Sequence, residues 1–370
     1  MSTAHSERCQ RLISTMAEED CDAVAVFGNA WQADYLRFVT DFTPLEGDGL
    51  ALFLKNGEID LFVENPADAE RASMECLDIR AHFSPDIVAA FTDHVVKTGA
   101  CRRLGAAPAT LFPQALAHSV ANMEVGDATG IIDPLLLVKS PAEIDAMRQV
   151  CKLADDGYRA FMEASRVGRT EYELAAEVEA YLRSQGCAEN FMILGSGGVE
   201  VMGMHPPGER KLQAGDLVTT EITPCFAGYN AQVCRTLVLG EPTEAQLDAF
   251  AVYIEAAEAG EAVLKGGVTA AEVAKAENDV FRKHGLGEYT TNKYTRVRGH
   301  GMGLFVDSKP HILEDVDTVI PAGSTIIVHP NTYHPTVGYM VFGDLSLVTE
   351  DGCENMGTLP RELFSMPAGG

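Results

Sequence analysis

The stretch that most constrains this chain is residues 205–236, HPPGERKLQAGDLVTTEITPCFAGYNAQVCRT. A Pro/Gly loop carrying His205 leads to a turn at Ala214-Gly215-Asp216, and residues 217–223 then read as a strand. Pro224 is expected to stop that strand, residues 226–229 to connect, and residues 230–239 to return. Strand side chains alternate between faces, so Leu217, Thr219, Glu221 and Thr223 share one face and Val218, Thr220 and Ile222 the other. Glu221 therefore sits inside a β-rich element, where a carboxylate is costly unless something is paired with it. Gln232 and Cys234 alternate along the returning strand and can face the same cavity. The whole reads as the floor of a polar pocket.

The flanking chain predicts a mixed α/β protein. Residues 7–19 form an amphipathic helix with Leu12, Ile13 and Met16 as its buried stripe, and residues 22–28 are a short apolar run ended by Gly28. Two apolar strands flank Asn56-Gly57, a pair that favours a type I′ hairpin. A helix over 66–76, a strand near 78–82 and a helix near 86–98 continue the pattern. Trp31, Tyr35 and Arg37 fall together in one loop-like stretch. Composition shifts around residues 126–141, and Ser140-Pro141-Ala142-Glu143 has the order of a helix start: capping Ser, Pro in the first turn, then an acid. The domain boundary is placed there, giving an N-terminal domain over 1–130 and a second domain over 140–370. Within the second, helix-helix-hairpin recurs loosely over 144–239 and 243–349.

Bulk properties narrow the partners. A formal charge of −26 argues against nucleic acid and anionic membranes, both of which need a basic face. Nine cysteines without close spacing do not make a disulfide framework, and the polar N-terminus has no apolar signal core. A cytoplasmic protein acting on a small molecule is the expectation.

Five histidines, His205, His300, His311, His329 and His334, fall in loop and strand segments of the second half. His205 and His300 lie in Gly/Pro-rich loops beside strand ends, where functional groups collect. Glu221, Gln232, Cys234 and Asp344 add polar groups to strands that otherwise look buried, so one shared pocket is expected.

From Ser140 to about Gly352 the chain resembles the pita-bread family of methionine aminopeptidase, prolidase and creatinase. The residues that carry the resemblance are His205 with Gly215-Asp216-Leu217-Val218, Gly228-Tyr229 with Arg235-Thr236, Gly299-His300-Gly301-Met302-Gly303, and residues 347–352. Residues 1–130 resemble the smaller α/β domain that precedes the catalytic domain in prolidase and creatinase. The family's peptidases hold two metal ions with two Asp, one His and two Glu. The matching positions here are Glu221, Gln232, His300, His329 and Gly343, with Asp344 one residue beyond. No metal and no other cofactor are expected on that ligand set. His205 stands where creatinase, which works without metal, has its proton-shuttling histidine. The resemblance thus implies a metal-independent creatinase-like hydrolase or lyase that cleaves a C–N or similar bond. Its catalytic groups would be His205 and Glu221, with Gln232, Cys234, His300, Asp307, His329, His334 and Asp344 against the substrate. Two other readings accompany it: an inactive binding protein on the same fold, and a mononuclear enzyme using Glu221, His300 and His329. A homodimer is expected, with Trp31, Tyr35 and Arg37 of one subunit closing the pocket of the other.

Overall fold

The computed structural model of the chain describes residues 3–76, 78–99, 102–119 and 124–368. It divides into two compact units, Met1–Glu143 and Ile144–Gly370, and both mix helices with sheet.

The first unit is a six-stranded sheet built from β1 (Ala23–Asn29), β2 (Asp48–Leu54), β3 (Ile59–Val63), β4 (Ile79–Phe83), β5 (Arg103–Ala107) and β6 (Glu124–Asp127), in the order β4-β3-β2-β1-β5-β6. Its strands read as near-continuous apolar runs because helices cover the sheet; Phe27, Leu50, Leu52 and Phe62 pack with Phe91 of the helix Ile87–Thr98. The hairpin at Asn56-Gly57 forms, but not with a type I′ turn. Gly57 alone has positive φ, its N–H bonds the Leu54 carbonyl at 2.8 Å, and Leu54 N–H bonds Glu58 O at 2.9 Å. That is a three-residue loop with glycine in the left-handed position, which spares Asn56 the conformation type I′ would demand.

The second unit opens with the helix Pro141–Ala164, whose first turn contains the division between the units. Met147, Val150, Ala154, Tyr158 and Phe161, three or four apart, are its buried stripe. Three further helices, Glu171–Ser184, Glu244–Val263 and Ala270–Lys283, start at Thr170, Thr243 and Thr269. Each threonine forms a reciprocal capping box with the Glu or Gln three residues on, a device that contributes about 1 kcal/mol per helix.

Between and after these helices run β7 (Glu189–Gly197), β8 (Leu217–Phe226), β9 (Tyr229–Asn230), β10 (Val233–Leu239), β11 (Gly299–Gly301), β12 (Ser308–His311), β13 (Thr325–Val328), β14 (Thr332–His334), β15 (Gly338–Met340), β16 (Asp344–Val348), β17 (Cys353–Asn355) and β18 (Phe364–Met366). One five-stranded sheet has the order β18-β10-β8-β7 with β9 beside β8, a second is β12-β11-β13-β16-β17, and β14 pairs with β15 in a two-stranded sheet. Pro224 does not stop β8, which continues to Phe226. The β8–β10 pairing begins only at Ile222–Val233, so no β10 partner stands opposite Pro224 to miss its N–H.

The two five-stranded sheets of this unit are stitched together where β10 meets residues 341–343. Cys234 and Gly343 exchange backbone hydrogen bonds at 3.1 and 3.0 Å. Thr236 Oγ1 donates to Val341 O and accepts from Val341 N, both at 2.9 Å. A continuous row of neighbours results: Ile193 beside Glu221, Glu221 beside Cys234, Cys234 beside Gly343. Among the described residues no helix is long and apolar enough to cross a membrane.

Candidate active site

The Ile193–Glu221 end of that row lines a cavity of about 380 Å³ in the second unit. Glu221 of β8, Gln232, His300 of β11, Asp307, His329 and Asn331 supply its polar lining, with Arg296 at one side. Phe191, Ile193, Met204, Val306 and Tyr339 supply apolar wall. The volume suits a small metabolite or a dipeptide.

Glu221 is the central acid, and only 8% of it is exposed. Its Oε1 accepts a 2.8 Å hydrogen bond from Asn331 Nδ2. Burial raises its pKa to about 7, against the opposing pull of the Cys234 thiol, Asn331, Arg296 and Gln232. Asn331 is itself fixed: its Oδ1 accepts from Phe342 N at 3.1 Å and its carbonyl from Arg298 at 2.9 Å. Asn331 escaped the sequence reading. The signal available was its place two residues beyond His329, across a proline.

The two site histidines are held neutral. Burial lowers the pKa of His300 and, with the neighbouring His300 ring, depresses that of His329 far more. Their rings meet edge to face with centroids 5.4 Å apart. His300 Nδ1 donates to Gly301 O at 3.0 Å, which leaves Nε2 as the lone-pair nitrogen. Asp307 receives Arg296 at 2.8 Å and stands 3.2 Å from His311 Nε2 and 3.7 Å from His300 Nδ1. Three buried polar atoms of this lining lack a hydrogen-bond partner: Gln232 Oε1, Asp307 Oδ1 and His329 Nδ1. Two of them accept only, so the cavity suits a ligand that brings N–H groups.

The other expected residues lie elsewhere. His205 is not part of the lining; its imidazole is half exposed, with Nδ1 2.7 Å from Pro206 O and 3.9 Å from Glu171, and its neighbour Met204 faces the cavity instead. Cys234 lies behind Glu221, packed with Tyr339 and Val341, and burial followed by the Glu221 charge keeps its thiol protonated. His334 ends β14, where its Nδ1 accepts from Thr336 N. Asp344 is consumed by two arginines and an amide: the buried Arg235 reaches it at 2.6 Å, Arg361 at 3.1 Å and Asn355 at 3.2 Å. Trp31, Tyr35 and Arg37 belong to the first unit, where Tyr35 bonds Asp133, Arg37 bonds Thr43 at 3.0 Å, and Trp31 is 85% exposed.

The five positions that match the family's metal ligands do not fit a pair of cations. Glu221 is the only acid among them, and a two-metal centre brings about +4 of charge to neutralise. A Cβ placed on Gly343 would lie 2.6 Å from His329 Cβ and 2.8 Å from Val328 O, so the backbone leaves no room for an acidic side chain there. The mononuclear set fails on geometry: among the described residues the ligating atoms of Glu221, His300 and His329 do not gather within 4.8 Å of one another, whereas those of Asp60, His82 and His94 do.

Comparison with known proteins places this geometry. The model of metallopeptidase family M24 matches residues 145–350. An Xaa-Pro dipeptidase of Pyrococcus furiosus is 28% identical over 236 residues, 63% of this chain and 67% of that protein. A probable dipeptidase PepE of Mycobacterium tuberculosis is 32% identical over 242 residues, 65% of this chain and 64% of its own length, so the match spans a little less than two thirds of that relative. Among solved structures, the prolidase of Pyrococcus horikoshii OT3 superposes with a TM-score of 0.83 at 25% identity, over 96% of this chain and 99% of that one. The X-Pro aminopeptidase of Thermotoga maritima MSB8 gives 0.87 at 22% identity, over 97% and 99%. The fold is the pita-bread fold expected from the sequence. The function expected from the sequence is corrected: relatives named as dipeptidases, within a metallopeptidase family, overturn the metal-independent creatinase-like hydrolase or lyase.

Proposed function

The chain belongs to metallopeptidase family M24 and is a hydrolase of the dipeptidase and aminopeptidase class, and on that premise we propose that it cleaves the amide bond of a small dipeptide in the cavity around Glu221. The observation that carries the proposal is a single carboxyl, buried at the cavity floor, hydrogen-bonded by Asn331 and titrating at about 7. A general acid/base works best with a pKa near the operating pH, and Glu221 has it. It can take a proton from the water whose oxygen attacks the carbonyl carbon and return that proton to the amine nitrogen as the C–N bond breaks. Asn331 Nδ2 fixes the carboxyl's orientation through either transfer.

The rest of the lining supports a dipeptide. Gln232 Oε1 and Asp307 Oδ1 accept from N–H groups, Arg296 offers a guanidinium to a carboxylate, and Phe191, Ile193, Met204 and Val306 offer an apolar wall to a side chain. A ring without a free backbone N–H, such as proline, suits that wall. The lining has the charge for at most one divalent cation, so this proposal includes no second ion. The homodimer is retained as part of it, supported by the exposure of Trp31 in the first unit.

The test is a dipeptide panel, with and without C-terminal proline, assayed for amino-acid release. Wild type is expected to cleave members of the panel, and Glu221→Gln is expected to lose that activity while keeping its circular dichroism. No cleavage of any dipeptide, or a fully active Glu221→Gln, overturns the reading. Two equivalents of metal lost together on Glu221→Gln would overturn the cation count, and a fully active monomer in light scattering would overturn the dimer.

A further inference from the structure

A second set of ligating side chains lies in the first unit and takes no part in the cavity. β3 and β4 run parallel with Asp60 beside Arg80 and Phe62 beside His82. Strand alternation puts Asp60 and Phe62 on one face of the sheet. The helix Ile87–Thr98 brings His94 to the same place. His82 Nε2 stands 2.8 Å from Asp60 Oδ1, and His94 Nε2 stands 3.3 Å from Asp60 Oδ2. Phe62 orients both rings, stacking on His82 at 4.7 Å and meeting His94 edge-on at 5.5 Å.

Charge neutralisation does not explain this convergence. Arg80 already grips both Asp60 oxygens, at 2.9 and 2.7 Å, in a two-point contact sufficient for one carboxylate. Two more nitrogens aimed at the same oxygens are surplus to an ion pair. They match instead the donor set of a borderline cation: two imidazoles and one carboxylate, with remaining positions for water. Asp60 is fully buried, while the His82 and His94 side chains are 37% and 26% exposed, so the set opens to solvent on its histidine side. Arg80 has a second partner ready in Glu58, 3.0 Å away.

We propose that Asp60, His82 and His94 form a zinc-class cation site that pins the helix Ile87–Thr98 to β4, the edge strand of the first unit's sheet. The ion enters between the three groups. Each neutral imidazole then carries its proton on Nδ1 and gives its Nε2 lone pair to the metal, while the Arg80 guanidinium swings to Glu58. The site holds the sheet edge and stands apart from the reaction at Glu221.

The probe is Zn²⁺ alone, titrated into chelator-stripped full-length protein in the Glu221→Gln background, with calorimetric and elemental stoichiometry. One equivalent is expected, and His82→Ala or His94→Ala is expected to weaken it at least ~100-fold. Arg80→Gln is expected to tighten it about tenfold, because a nearby positive charge no longer opposes the divalent ion. Zn²⁺ is also expected to raise the thermal midpoint only where both histidines are present. Retention of the equivalent in the His82→Ala/His94→Ala protein, absence of binding in the parent, or unchanged or weaker binding in Arg80→Gln overturns the proposal. Should a histidine variant fail to fold, the Arg80→Gln arm decides alone.

Discussion

Two acids buried in neighbouring kinds of strand end in opposite states. Asp60 on β3 is enclosed, yet Arg80, His82 and His94 outweigh the burial and hold its pKa at about 2. Glu221 on β8 is enclosed by an asparagine, a glutamine and a thiol, and burial wins, taking it to about 7. Burial pushes both in the same direction; the partners decide. The Arg80 guanidinium, bonded to both oxygens, fixes Asp60 as an anion, whereas Glu221 has only an asparagine, a thiol, a glutamine and the unbonded charge of Arg296 to set against its burial, and stays balanced between two protonation states, the condition a proton-transfer group needs. Asp344, one residue from a position where the family's peptidases carry an acid, is taken up in ion pairs with Arg235 and Arg361.

The contrast can be broken by exchanging charge for amide. Glu221→Gln is expected to cut hydrolysis on the order of 10²–10⁴-fold with the fold intact, read by dipeptide turnover and circular dichroism. Asp344→Ala leaves the buried Arg235 without its carboxylate and is expected to cost roughly 3–5 kcal/mol in urea unfolding. Next in size is a pH effect. A carboxyl raised from 4.5 to about 7 keeps its proton in the folded state while the unfolded chain releases it, so its contribution to stability falls as pH rises from 4.5 to 7. The unfolding free energy of wild type relative to Glu221→Gln should drop by about 3 kcal/mol across that window. A flat difference would mean that Glu221 titrates normally. Asp60 has the opposite sign: its contribution is complete above 3.8 and disappears as pH falls toward 2. Asn331→Ala removes a donor that favours the charged form and should move the acidic limb of the kcat/KM profile upward, by up to about one pH unit. Smallest of all, Asp60→Asn should leave turnover within about twofold, since Asp60 touches no part of the cavity; a larger loss would tie the two acids together.

Much of this was legible in the chain. Alternation placed Glu221 on a buried strand face, and Ser140-Pro141-Ala142-Glu143 announced the helix Pro141–Ala164. The family motifs point Gln232, His300 and His329 to one cavity, and all three line it. What stayed hidden depended on long-range partners. Asn331 acquires its role only because β14 leaves it opposite Glu221, 110 residues away in sequence. Asp344 looked available until Arg361, from the far end of the chain, closed on it. His205 looked catalytic because a Pro/Gly loop holds it, but the strand-like bridge of Leu194 with His205 presents Met204 to the cavity instead. The type I′ turn failed for a local reason: one extra loop residue lets glycine alone take the left-handed conformation.

The tight approach at Gly343 has a consequence for how this protein can change. Because a methyl group at that position already collides with the backbone oxygen of Val328, every single substitution there is penalised, acidic or not. Gaining the family's fifth ligand would require β13 and the 341–343 segment to part first, and that segment is held on its other side by the Cys234–Gly343 and Thr236–Val341 hydrogen bonds to β10. No intermediate on such a route keeps the sheet seam intact. A five-ligand centre is therefore closed to one-step mutation, and substitutions elsewhere in the lining can retune Glu221 more readily than they can build such a centre.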